Sequence, residues 1–326
     1  MIPVSVEEEV VPQQGVVVIE NLSKIYNRDV RAVDGISFAI SEGEIFGLLG
    51  PNGAGKTTTL HILATLLKPT AGTAKIDGYE VGRQPSKVRK RIGIVFQEPS
   101  SDELLTGYEN LKLHAFMYGV PSEIRKDRID EALNLADLTG RKDDLVKHYS
   151  GGMRRRLEIA RGLLHRPRVL FLDEPTLGLD PQTREHIWDY IERLVVELKI
   201  SVILTTHYMD EADRLCDRIA IIDHGKIVAL DTPENLKRAL GGDVIRLQMS
   251  SPNLSAVDVL PYIRKVDVHD RLVSLTVLDA SSHIQEILAV IGKVDTVELR
   301  PPSLSDVFLH YTGREYREQE MVKKEW

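Results

Sequence analysis

The chain has a single cysteine, Cys216, in 326 residues, so no disulfide can form within it. One thiol fits a reducing cytoplasm and reads as a small buried hydrophobe. Long apolar runs are also missing. Val169 to Leu172 and Val202 to Leu204 are strand-sized, far short of the roughly 18 residues a spanning helix needs, so the chain is not expected to cross a membrane. Met1 to Gly15 lacks the basic-then-apolar order of a secretory signal and carries Glu7, Glu8 and Glu9; residues 1–15 are read as a flexible tail. Basic residues are in the minority, 42 against 49 acidic ones for a net charge of −7, which disfavours a broad footprint on nucleic acid or anionic lipid. The 10 histidines show no paired spacing with cysteine, so a zinc site is not expected. Long internal repeats and low-complexity tracts are absent as well.

What is there is an ordinary globular composition, 42% hydrophobic and 28% charged, long enough for about two domains. From Val16 short β-rich runs appear: Val16 to Glu20, Gly35 to Ile40, then Glu44 to Leu49 running into a glycine-rich turn. A helical stretch from Lys56 to Leu67 stops at Lys68-Pro69. Over about residues 99–150 helical periodicity takes over, through Glu109 to Met117 and Ser122 to Leu138, as a helical insert. Apolar strands return at Arg168 to Leu172, Ser201 to Thr206 and Ile219 to Asp223, with a helix over Pro181 to Leu198 among them. Such alternation predicts an α/β fold around a mostly parallel sheet with covered faces.

A domain boundary is predicted at Gly241-Gly242, after the helical run Pro233 to Leu240, leaving 16–241 and 242–326 as two domains. The second reads strand (Val244 to Met249), helix (Ser255 to Ile263), strand (Lys265 to Val268), strand (Leu272 to Leu278), helix (Ser281 to Ile291), strand (Val294 to Leu299). That order suggests a small α+β unit, a split βαβ sandwich.

The chemistry begins at Gly50-Pro51-Asn52-Gly53-Ala54-Gly55-Lys56-Thr57, which fits G-x-x-x-x-G-K-[ST] directly after an apolar strand and before a helix. Glycines at 50, 53 and 55 let consecutive N–H groups point at phosphate oxygens, and the helix adds its positive end. Lys56 would reach β- and γ-phosphates, and the Thr57 hydroxyl would ligate Mg²⁺, with Thr58 beside it. A phosphate clamp also needs a second metal ligand and a group that activates water. The strand Arg168 to Leu172 ends in Asp173-Glu174, which offers Asp173 for Mg²⁺ and Glu174 as proton acceptor for the attacking water.

Just upstream lies Tyr149-Ser150-Gly151-Gly152-Met153. Ser150 and the two glycines would expose N–H groups to an anion at the start of a helix running from about Met153 to Leu164. Gln97 stands at a strand end, Gly178-Leu179-Asp180 follows the carboxylates, and His207 follows the next strand. In this order the motifs resemble those of the ATP-binding cassette (ABC) ATPases, over about Val16 to Leu240. The resemblance implies a P-loop ATPase domain with an antiparallel β subdomain. It also implies a head-to-tail dimer in which each ATP lies between the Lys56 loop of one subunit and the Ser150-Gly151-Gly152 turn of the other. It casts Tyr26 as the aromatic on adenine, Gln97 as the sensor of Mg²⁺ and water, His207 as the γ-phosphate contact and Asp180 as a residue crossing the interface.

Tyr149 and Met153 stand where leucine and glutamine are usual. That form, followed by Arg154-Arg155-Arg156, resembles the daunorubicin-resistance and lipo-oligosaccharide exporter branch, as does Pro302-Ser303-Leu304-Ser305-Asp306-Val307-Phe308-Leu309. The last segment is also a helix start, with Ser303 and Asp306 spaced as a capping box. The arginine run is read as a solvated helix face. The resemblance therefore implies an ATPase subunit, cytoplasmic and peripheral on the inner face of the membrane, powering export through a separate integral-membrane permease. Leu105 to Leu111 with Gln97 to Glu103 is the candidate docking surface. An import ATPase, or an ABC clamp on nucleic acid or ribosomes without a membrane partner, is the alternative; the paired cassettes or long coiled-coil inserts usual in clamps are missing. Regulation or dimer support is the expectation for the C-terminal domain.

Overall fold

Strands form where apolar residues run on, and helices where glycine, proline and capping residues bracket 3.6-residue periodicity. The computed structural model describes residues 15–27, 29–249, 260–269, 271–292 and 294–313. The tail 1–14 and the segment 250–259, which holds most of the helix expected at Ser255 to Ile263, lie outside the described residues. The chain divides into two compact units, one ending at Val228 and the other starting at Ala229.

In the first unit β1 (Val17–Tyr26) and β2 (Val30–Ile40) lead into β3 (Ile45–Leu49) and α1 (Lys56–Leu63). β4 (Ala71–Ile76), β5 (Tyr79–Glu80), α2 (Pro85–Arg89) and β6 (Ile92–Val95) follow, then α3 (Gly107–Met117), α4 (Ser122–Leu135) and α5 (Gly151–Leu163). β7 (Val169–Asp173), α6 (Pro181–Leu198), β8 (Ser201–Thr206), α7 (Met209–Leu215) and β9 (Arg218–Asp223) follow, and β10 (Lys226–Asp231) runs across the division at Val228. One sheet has the order β10-β9-β3-β8-β7-β6, and β9, β3, β8, β7 and β6 pair in parallel. Every residue of β3, β7 and β8 is buried, as strands covered on both faces must be. Their C-terminal ends therefore meet at one edge, where ligands bind in open α/β sheets. Cys216 packs on this sheet: a Cβ on Gly47 would lie 2.7 Å from its sulfur. A second sheet, β2-β1-β4-β5, is antiparallel.

Two helices end earlier than periodicity suggests, and both ends are left-handed turns. α1 stops before Thr65 (φ 65), and α4 stops before Asp137 (φ 52). α3 starts at a full capping box, Thr106 with Glu109.

The second unit carries α8 (Pro233–Arg238), β11 (Asp243–Gln248), β12 (Ile263–His269), β13 (Leu272–Val277), α9 (Ala280–Ile291), β14 (Thr296–Arg300) and α10 (Leu304–Thr312). Its antiparallel sheet has the order β12-β13-β11-β14. Ile245, Leu247, Val273, Leu275 and Val277 pack with Ala280, Ile287 and Ile291 of α9. α8 packs with α10, so the glycine pair at 241–242 falls inside this unit rather than at its start. Asp306 accepts the Ser303 N–H and O–H, at 2.9 and 2.7 Å, and pairs with Arg246 and Arg300.

Candidate active site

The turn between β3 and α1 has no room for side chains at two of its glycines. A Cβ on Gly50 would lie 2.3 Å from the Ile222 carbonyl oxygen, and one on Gly55 would lie 2.2 Å from that of Ala32, with Gly55 also at φ 108. Asn52 and Gly53 face solvent, Pro51, Thr57 and Thr58 are half-buried, and Ala54 is buried. α1 begins with no side-chain cap and no acidic residue in its first turn. By contrast, α3, α5, α6 and α8 are capped by Thr106, Ser150, Asp180 and Thr232. An uncapped helix N-terminus presents its N–H groups and positive end to an anion.

Lys56 is buried and bends back over this turn. Its Nζ donates to the Gly50 and Pro51 carbonyls at 2.7 and 3.1 Å and lies 3.8 Å from Glu174 Oε1. Burial holds its pKa below the usual lysine value, against the opposing pull of the Glu174 and Asp173 charges. At the end of β7, Asp173 Oδ1 accepts the hydroxyls of Thr205 at 2.6 Å and Thr57 at 3.1 Å. Glu174 takes a left-handed backbone (φ 45), a conformation that stores strain in a residue with a Cβ. It is held there by its N–H, which donates to the Thr205 hydroxyl at 3.0 Å and carbonyl at 3.1 Å. His207 Nδ1 lies 3.2 Å from Glu174 Oε1. Burial raises the Glu174 pKa, but the His207 hydrogen bond and the charges of His207 and Lys56 outweigh it and hold the carboxyl below its ordinary value. The result is a buried carboxylate beside a glycine turn with an uncapped helix start and an oxygen pair suited to a hard cation.

Four expected residues lie apart from this cluster or at its margin. Tyr26 is half-buried at the end of β1, with Lys24 Nζ 5.2 Å above its ring. Gln97 is exposed two residues beyond β6, and among the described residues no hydrogen bond joins it to Asp173 or Glu174. Ser150 caps α5, its Oγ accepting the Met153 N–H at 3.2 Å, and the exposed Ser150 and Gly151 face outward while a Cβ on Gly152 would strike Thr183. Asp180 caps α6 through Thr183 and is fully exposed.

The arginine run corrects the reading of it as a solvated face. Arg155 is 8% exposed and donates to the carbonyls of Phe96 at 2.6 Å, Pro175 at 2.7 Å and Asp173 at 2.9 Å. Burial brings its pKa down to about 10. Arg156, half-buried, donates to the Ala136 carbonyl at 2.7 Å and pairs with the exposed Asp137 at 3.5 Å, and Arg154 pairs near the surface with Glu103. Sequence reasoning also missed Glu211, fully buried and accepting from Thr176 at 2.7 Å and Trp188 at 3.0 Å. Thr205 was missed too, though a threonine pair closing an apolar strand is a legible signal.

Comparison with known proteins adds to this geometry. A family model described as "ABC transporter" matches residues 33–177, and one described as "ATP-binding protein DrrA1-3-like, C-terminal domain" matches 232–312. The linearmycin resistance ATP-binding protein of Bacillus subtilis (strain 168) is 38% identical over 92% of this chain and 99% of its own length. The chain belongs to the ABC transporter ATP-binding family. The daunorubicin/doxorubicin resistance ATP-binding protein of Streptomyces peucetius is 42% identical over 90% of this ABC ATPase and 91% of its own length. Among solved structures, CbiO1 of Clostridium perfringens, part of the ABC transporter complex cbiONQ, covers 70% of this chain and 94% of its own at a TM-score of 0.65 and 30% identity. A dimeric ATP-binding cassette in a post-hydrolysis state bound to ADP and Pi covers 66% and 98% at 0.59 and 31%. The ABC ATPase resemblance and its daunorubicin-resistance branch both hold.

In this ABC ATPase the tyrosine of the Y-S-G-G-M turn has a structural reason. Tyr149 is buried, its hydroxyl donates to the Arg141 carbonyl at 2.8 Å, and it closes over Gly107, where a Cβ would lie 2.3 Å from that oxygen. Leucine cannot make the bond. Tyr149→Phe is expected to cost about 0.5–1.5 kcal/mol, read as a lower urea midpoint at unchanged m. An unmoved midpoint would mean that water replaces the hydroxyl without loss.

Proposed function

We propose that this ABC ATPase is the ATP-hydrolysing subunit of a membrane exporter and drives a separate transmembrane partner. The reading is carried by one observation: Lys56, Thr57, Asp173, Glu174 and His207 meet in a buried cluster at the ends of β3, β7 and β8, beside an uncapped helix. The turn from Gly50 to Thr57 and Thr58 takes the triphosphate, Lys56 meets its β- and γ-phosphates, and Tyr26 stacks on adenine. Thr57, Asp173 and Gln97 would hold Mg²⁺. The first two fit such an ion, since their oxygens lie 3.1 Å apart and a hydroxyl with one carboxylate is a typical Mg²⁺ donor set beside phosphate. When bound, the ion neutralises charge on the β- and γ-oxygens. Glu174 takes the proton of the attacking water, and His207 orients Glu174 while reaching the γ-phosphate.

One chain supplies two glycine-rich helix starts, the uncapped α1 and α5, whose Ser150 cap takes the Met153 N–H. In a head-to-tail homodimer the Lys56 turn of one copy and the Ser150-Gly151-Gly152 turn of the other close on each ATP, with Asp180 crossing between them. All motifs being present in one chain favours two equivalent sites. The relatives above are named for drug resistance, which favours export over import. No described helix is long and apolar enough to cross a membrane, so the membrane span belongs to the permease, and this subunit sits on its inner face. Gln97 to Glu103 with Leu105 to Leu111 dock it: the Thr106 capping box fixes the start of α3, and Leu104 between the two stretches stays 75% exposed. The C-terminal unit supports the dimer or regulates it, and a truncation at Gly242 is expected to impair coupled transport.

Affinity purification from detergent-solubilised membranes tests the reading. Recovery of a polytopic membrane protein is expected. Co-purifying material removed by nuclease, with no membrane protein, would favour the nucleic-acid or ribosome clamp instead.

A further inference from the structure

The loop that carries Gln97 is fastened on both sides by a single helix, α5. Before Gln97, Arg155 donates to the Phe96 carbonyl at 2.6 Å. After it, Glu158 accepts the Ser101 N–H at 2.7 Å and the Ser100 N–H and O–H at 3.1 Å each. Arg161 closes this cluster, 2.9 Å from Glu158 and hydrogen-bonded to the Ser100 hydroxyl. Glu158 is 2% exposed and Arg161 is 7% exposed. Burying an ion pair gives little net stability compared with an apolar pair of the same volume. What the carboxylate adds is direction: it fixes two consecutive backbone N–H groups of the loop through charge-assisted bonds.

We propose that Glu158 is a positioning residue for hydrolysis. It makes α5 and the Gln97 loop one body, so Gln97 keeps a fixed place relative to both the Ser150 turn and the Glu174 site. Arg155 gives that body its reference point, since the same guanidinium holds the Asp173 and Pro175 carbonyls on either side of Glu174. The inference rests on the roles proposed above for Gln97 and Glu174.

Initial rates of Mg·ATP hydrolysis by the purified full chain test it, with fluorescence of trinitrophenyl-ATP reporting binding. Glu158→Ala removes the whole attachment. Ser100→Ala removes one hydroxyl at an exposed position and leaves the Glu158 and Arg161 pair intact, so it keeps the test open should Glu158→Ala fold poorly. The expected result is a fall in kcat of about 10-fold or more for Glu158→Ala and about 3-fold for Ser100→Ala, with KM and trinitrophenyl-ATP affinity within about 2-fold of the parent. In a Gln97→Ala background the same substitutions should cost less than about 2-fold, because residues acting through one another are not additive. Unchanged kcat, or the full loss repeated in the Gln97→Ala background, overturns the proposal. Glu174→Gln separates this from its premise: if that variant still turns over normally, the site assignment fails and the positioning role falls with it.

Discussion

Glu174→Gln is expected to lower ATP turnover by about 10² to 10⁴ while leaving ATP affinity largely intact. The amide has the shape of the acid, and the backbone that places it, with its N–H on Thr205, is untouched. Basicity is lost, together with the charge beside Lys56 and His207. The parent carboxyl is buried, which raises its pKa, yet the hydrogen bond from His207 and the charges of His207 and Lys56 bring it below the ordinary carboxylate value. A lowered pKa means that the proton-accepting form is the one present at neutral pH and persists as pH falls, until the folded value is reached. The acid limb of kcat/KM, which reports the free enzyme, should therefore lie below the usual carboxylate range. In His207→Ala the strongest opposing influence disappears while burial remains, so the limb should move to higher pH on top of any loss of rate. A steady-state pH profile of the two proteins reads the shift, and an unmoved limb would uncouple His207 from Glu174. Unchanged turnover in Glu174→Gln would remove that residue from the role of base.

The turn from Gly50 to Thr57 and the paired carboxylates were legible because each is a contiguous run of residues with a strand before it, although the carbonyls that exclude a side chain at Gly50 and Gly55 come from the distant Ile222 and Ala32. A run such as Val-Leu-Phe-Leu before Asp173-Glu174 reads as a buried strand with its charge at the end. α6 was legible as a contiguous run too, between Asp180-Pro181 and the left-handed Lys199. β4 and β10 were not. β4 has only two buried residues and a glycine at φ 78, and β10 has none fully buried, so neither shows the alternation or the apolar run from which a strand is read.

Arg155 marks the limit more sharply. Three consecutive arginines on a helix point in three directions, and nothing within a few residues says which of them faces inward. The partners that decide it are carbonyls 18, 20 and 59 residues away. Glu158 is similar, its partners Ser100 and Ser101 being 58 and 57 residues off. Both belong to the part of the site that depends on how the helical insert meets the strand ends, and that relation is tertiary. Glu211, buried by Thr176 and Trp188, is a third case.

Lys56→Ala is expected to weaken ATP binding by about 30- to 4,000-fold, the equivalent of the ~2–5 kcal/mol that truncating one member of a buried, hydrogen-bonded charge pair costs. The ammonium is held by two loop carbonyls and sits 3.8 Å from Glu174. It is already desolvated, as its lowered pKa reflects, so a triphosphate meets a cation that has little hydration left to lose. Without that cation the incoming anion faces Asp173 and Glu174 with one fewer positive charge against them, and each carboxylate repels it more strongly. The same loss removes one of the charges that hold the Glu174 pKa down, so the residual activity should also show its acid limb at higher pH. Lys56→Arg should not restore affinity, because a planar guanidinium cannot follow the bend that lets Nζ reach both Gly50 and Pro51. Equilibrium titration with trinitrophenyl-ATP decides the matter: normal affinity in Lys56→Ala would mean that phosphate is gripped somewhere other than this turn.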